Sequence, residues 1–286
     1  MVRTSYWKRN RSTIFWVGML LVAVLLGVGF GYDQWGRQPN WYGHRDLAAL
    51  PPGPETDLIR FGWQLVVETP RHIGKSATDP AKRYAGNDLA CTNCHMNAGL
   101  KPFAAPLVST FASFPAMFNN LVLSLAERIN GCMTRSMNGS PLPVNGREME
   151  AFIAYMRYIA RDSPVGVRVA GMGLLPLKPA AQTPDAQRGA AVYSQWCARC
   201  HGPNGQGDPR TPPGIGYAIP PLWGANSFNA AAGMAKVTMA ASFIRANMPL
   251  GVDYRAPILT EQQAWDLAAF ITTRPRPGPR PSGPAR

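Results

Sequence analysis

Apolar residues recur at helical spacing in two places along the chain, and each closes a similar stretch. Met149, Phe152, Ile153, Met156 and Ile159 follow Asn145 and Glu148, which have N-cap and N3 spacing. Ala264, Leu267, Ala268 and Ile271 follow Thr260 and Gln263 in the same relation. Both patterns predict an amphipathic helix. Clean alternation over many residues is absent, and 28 Pro with 28 Gly predict abundant loops and few strands. A different pattern occupies the start: an uncharged, mainly apolar run from Ile14 to Tyr32 follows Arg3, Lys8, Arg9 and Arg11. At ~1.5 Å per residue such a run can cross a hydrocarbon core of ~30 Å. The basic flank then stays in the cytoplasm and the rest of the chain lies on the other side. Gly31, Tyr32, Asp33, Gln34 and Trp35 follow Phe30 without a small-x-small cleavage site, which favours an uncleaved anchor over a signal peptide.

The repeat becomes chemical at Cys91-Thr92-Asn93-Cys94-His95 and Cys197-Ala198-Arg199-Cys200-His201. Each is a c-type haem attachment motif, in which two thiols add across the vinyl groups and the adjacent imidazole becomes the proximal iron ligand. Zinc would need four donors per site, and outside the motifs only His44, His72 and Cys132 remain, without paired spacing. Two covalently bound haems c are the expected cofactors. Neither His44 nor His72 has a recognisable partner, so both are expected at the surface or in packing.

The resulting division is a basic flank and transmembrane anchor over 1–32, a juxtamembrane linker over 33–57, and a first haem domain over 58–162. A linker rich in Pro and Gly over 163–183, a second haem domain over 184–274, and a disordered Pro/Arg tail over 275–286 complete it. This plan resembles two fused class I cytochrome c domains, mainly α, preceded by an N-terminal transmembrane helix. In that fold the terminal helices cross and long loops wrap the haem. As in c-type cytochromes of bacteria, attachment outside the cytoplasm would place both haem domains in the periplasm, on a single-pass inner-membrane protein.

Charge narrows the partners. Twenty-nine Lys and Arg against sixteen Asp and Glu give +13, which draws in anionic substrates or acidic proteins. Nucleic acid is not expected as a partner of an exported domain.

Axial ligands on the far side of each haem differ in what the residues say. Met248 stands before Pro249 and shortly before the closing helix, as the ligating Met does in cytochrome c domains, and Pro249 restricts it to an extended backbone. Met172, Met234 and Met239 are nearer to ordinary core fillers. Cys132 occupies the corresponding place in the first half. It is either a thiolate ligand, giving a low-potential haem, or a small buried hydrophobe with Met117, Met133, Met137, His44 or His72 ligating instead.

The segment Arg128-Ile129-Asn130-Gly131-Cys132-Met133-Thr134-Arg135-Ser136-Met137-Asn138-Gly139 closely resembles the active-site stretch of the thiosulfate dehydrogenase family of dihaem cytochromes c. The resemblance extends to Asn87-Asp88-Leu89-Ala90, Ala104-Ala105-Pro106-Leu107, Phe243 through Gly251 and Trp265 through Phe270. It implies oxidation of two thiosulfate to tetrathionate, with two electrons passed to an external acceptor such as an acidic cytochrome or a membrane oxidase. It also implies His95 and Cys132 as axial ligands of the first haem, Arg128 as an anion-holding residue and Ser136 as its companion. Alternatives are tetrathionate reduction at the same site, or a membrane-anchored dihaem electron carrier without substrate chemistry. The chain departs from the family between His95 and Cys132, where Arg128 is the only arginine and Phe114 to Asn120 replace further ones. Arg135, Lys101 and Arg147 are candidates to compensate.

Overall fold

The computed structural model describes residues 19, 41–43, 45–118, 121–212 and 214–279, with no account of the Phe118 side chain. The expected anchor over 14–32 and His44 therefore lie outside the described residues, apart from Met19. Among the described residues no helix is long and apolar enough to cross a membrane.

Residues 41–279 carry two helical arrangements of the same kind. In the first, helix α1 (Pro54–Val67) precedes the attachment motif, α2 (Leu125–Arg135) follows it, and α3 (Arg147–Ile159) closes it. In the second, α4 (Ala186–Trp196), α5 (Val237–Asn247) and α6 (Glu261–Thr272) take those places. The only strands among the described residues form two small antiparallel hairpins. They are β1 (Ala116–Phe118) with β2 (Leu121–Leu123), and β3 (Asp208–Pro209) with β4 (Tyr217–Ile219).

Glycine sets how closely the crossing helices approach. A Cβ at Gly62 on α1 would collide with the Ala151 carbonyl and Tyr155 on α3, and a Cβ at Gly189 on α4 would collide with the Asp266 carbonyl and Phe270 on α6. Around the first crossing Leu65, Val66, Met149 and Ile159 are fully buried. Around the second, Tyr193, Trp223 and Phe270 form a ring cluster with centroids 5.2 to 5.8 Å apart. Buried Asp266 locks that crossing by accepting from Arg188 Nε and Nη2, each at 2.8 Å, and from the Asp185 N–H at 2.8 Å.

Local signals were accurate at one closing helix and off by a residue at the other. Thr260 and Gln263 cap α6 as expected, but α3 has Gly146 as its N-cap, not Asn145. Glu148 is buried and binds Lys82 Nζ at 2.7 Å, so tertiary pairing takes the carboxylate that would have completed the cap.

Three buried asparagines join the halves where side-chain amides satisfy backbone carbonyls that would otherwise be stranded. Asn87 donates to Ser136 O and Ser227 O, Asn229 to Thr134 O, and Asn247 to Phe103 O. Two of these bonds hold the last turn of α2. The tail does not stand free at its start either. The Gly224 N–H donates to Pro275 O and the Ala230 N–H to Pro277 O, while Arg276 lies over the Phe228 ring.

Candidate functional site: two haem attachment sites and a thiolate cavity

The first attachment motif opens onto a cavity of about 500 Å³. Cys91, Cys94 and His95 line it on one side, while Arg128, Cys132 and Ser136 reach it from α2 and its C-cap. A Ser124–Glu127 capping box starts α2. The helix period then puts Arg128 and Cys132 one above the other, with Arg128 Nη1 3.0 Å from Cys132 Sγ.

Ring orientation shows that the site suits an iron ligand. His95 Nδ1 bonds Ala105 O at 2.5 Å, which leaves Nε2 to face into the cavity. Cys132 lines the same cavity as His95. Burial alone would raise the Cys132 thiol, but the His95 hydrogen bond and the Arg128 charge outweigh it and bring the thiol down to about 6. Cys91 and Cys94, in the same cavity, are pushed up by burial to about 12 and about 11. The Cys132 thiol is instead lowered toward the thiolate, the form that binds metal or attacks sulfur. The volume, the apolar walls of Val66, Leu89, Phe152 and Met156, and this donor set fit a haem tethered at Cys91 and Cys94.

The other candidates for the sixth position separate. Met117 is 72% exposed and His72 packs edge-on against the Phe61 ring, and neither lines the cavity. Met133 and Met137 are buried and do line it, on the same helix end as Cys132.

Several cavity residues had no signal in the sequence. Gly166, Val167, Arg168, Met172 and Gly173 arrive from the stretch expected to be a linker, and Phe228 and Met234 come from the second half. The linker is held in place because Phe103 N and Ala105 N donate to Gly171 O and Gly173 O, and Ser109 Oγ donates to Met172 Sδ. None of Arg135, Lys101 and Arg147 lines the cavity, whereas Arg168 does. Arg147 instead lies over the Phe61 ring. Where further arginines were expected, hairpin β1–β2 presents exposed Met117, Leu121 and Val122.

At the second motif His201 Nδ1 bonds Pro220 O at 2.9 Å, again leaving Nε2 for iron. Met248 ends α5 in the extended conformation that Pro249 imposes, with φ −124° and ψ 143°. It packs on the same apolar cluster as Cys197 and Trp223.

Two such sites on paired helical domains define a dihaem c-type cytochrome. The family described as cytochrome c matches residues 186–275, and the SoxA/TsdA cytochrome c domain family matches residues 81–165. A thiosulfate dehydrogenase of Thiomonas intermedia is 37% identical over 232 residues, covering 80% of this chain and 69% of the relative. That of Allochromatium vinosum is 36% identical over 240 residues, covering 80% and 82%. A solved thiosulfate dehydrogenase (TsdBA) from Marichromatium purpuratum, in its as-isolated form, superposes with a TM-score of 0.69 at 37% identity. The match covers 80% of this chain and 48% of that one, so the chain spans about half the length of the solved protein. The chain belongs to the thiosulfate dehydrogenase family.

Proposed function

We propose that the chain joins two thiosulfate ions into tetrathionate and delivers the two electrons to an external acceptor. The observation that carries this reading is the Cys132 thiolate, facing His95 and 3.0 Å from the Arg128 guanidinium. Two dianions must be brought together, and a guanidinium offers their sulfonate oxygens a planar fork of donors. Arg128 is assigned that role, with Ser136 beside it as a hydroxyl donor.

Cys132 is assigned two roles: with His95 it would hold the iron of the first haem, and it is the nucleophile that carries one sulfane sulfur. Its thiolate and the first thiosulfate form a Cys132 Sγ–S–SO₃⁻ adduct with loss of two electrons. A second thiosulfate then attacks that sulfane sulfur, and the Cys132 thiolate leaves as tetrathionate forms. No proton is consumed or released. The haems, when bound, accept one electron each and pass them onward. His201 and Met248 are assigned to the second haem, where thioether ligation gives the higher potential of the pair.

The acceptor we favour is an acidic protein, either a small cytochrome or a membrane oxidase, drawn by the excess of positive charge. The apolar run after the basic N-terminal flank supports a single-pass anchor that holds both domains at the periplasmic face of the inner membrane.

Stopped-flow mixing of the oxidised holoprotein with thiosulfate tests the reading. Both haem spectra should turn ferrous with a rate that saturates in thiosulfate. A rate that stays negligible even at high thiosulfate would make the chain an electron carrier.

A further inference from the structure

We propose that Arg245 is the residue that holds a propionate of the second haem and thereby raises that haem's potential. Its Nε and Nη1 are both buried and meet no hydrogen-bond acceptor in the protein. A guanidinium cannot shed its charge, so its buried N–H groups call for an anion with two oxygens in one plane. The chain near it does not provide one: between Asp208 and Asp253 there is no Asp or Glu at all. The cofactor implied by Cys197, Cys200 and His201 brings two carboxylates of the required shape.

Position assigns the residue to the second haem. Arg245 lies on α5, whose Ala240, Ala241 and Ile244 pack into the second apolar cluster, and the helix ends at Met248 on that same cluster. One short helix therefore supplies both an axial sulfur and a fixed positive charge. The charge favours the ferrous state, because reduction makes the cofactor more negative. This role concerns the cofactor alone and stands or falls separately from thiosulfate chemistry.

Potentiometric titration of the holoprotein, with the two haems resolved by their spectra, reads the effect directly. Arg245→Gln should lower the ferrous-to-ferric ratio of the second haem about tenfold at fixed potential, which is about 59 mV for a one-electron couple. Arg245→Lys should remain within about threefold of the parent, and the first haem should not move in either variant. If Arg245→Gln does not assemble, Arg245→Leu gives the same reading. An unchanged second haem, a shift confined to the first haem or shared equally by both, or an equal fall in Arg245→Lys would each overturn the assignment.

Discussion

Replacing Cys132 with glycine should abolish thiosulfate-driven reduction while leaving both haems covalently attached. Attachment depends on Cys91, Cys94, Cys197 and Cys200, none of which the substitution touches. Cys132, by contrast, is the cavity cysteine that haem attachment leaves free, and Arg128 Nη1 lies 3.0 Å from its sulfur. Losing the reactive group itself should cut turnover on the order of a thousandfold or more. Dithionite, which needs no binding site, should still reduce the variant. Haem content by pyridine haemochrome and single-turnover stopped flow check both halves of this prediction. A variant that keeps both haems and the parental rate with thiosulfate would remove Cys132 from the chemistry.

Arg128 should show the second largest effect. It is the only cavity arginine on the Cys132 helix, and its Nη1 lies 3.0 Å from the sulfur, so it is placed to meet both the thiolate and an incoming sulfonate. Arg128→Ala should lower kcat/KM for thiosulfate by roughly 10²- to 10³-fold, the usual scale for removing one preorganised donor to a developing or approaching charge. Arg128→Lys should recover only part of that, because an ammonium keeps the charge but not the planar fork. Steady-state rates with a soluble electron acceptor give both numbers. A loss below tenfold in Arg128→Ala would shift the anion-holding role elsewhere on the cavity wall, with Arg168 the nearest choice by position.

The readable and unreadable parts of this molecule divide along a physical line. Haem attachment needs residues adjacent in sequence, so Cys91 to His95 and Cys197 to His201 are legible outright. Capping and helical period are nearly as local, and Thr260 with Gln263 cap α6 as the pattern says. Local reasoning fails where a distant residue competes. Glu148 looks like a partner for Asn145 but is taken by Lys82, and the cap moves to Gly146.

The cavity wall shows the larger failure. Met234 and Phe228 of the second half reach the first haem site, and residues from 166–173 line it although Gly166, Gly171 and Gly173, flanked by Pro164 and Pro176, read as a spacer. Nothing in a single chain marks such closure, because it is built from contacts between segments far apart in order. The buried amides of Asn87, Asn229 and Asn247 make the same point, since each carries out its work against a carbonyl in another segment. Cys132 lies between these extremes. Position alone leaves it either a ligand or a buried hydrophobe, the family resemblance implies a ligand, and the fold sets it on the same cavity as His95.

Low-temperature electron paramagnetic resonance of the fully oxidised protein tests that pairing most directly. A thiolate and a thioether impose different ligand fields on low-spin ferric haem, so two distinct signals are expected. The signal with the narrower spread of g values, typical of thiolate ligation, should disappear in Cys132→Gly and the other should persist. A spectrum without a thiolate-type species, or one that Cys132→Gly leaves unchanged, would contradict sulfur ligation at the first haem.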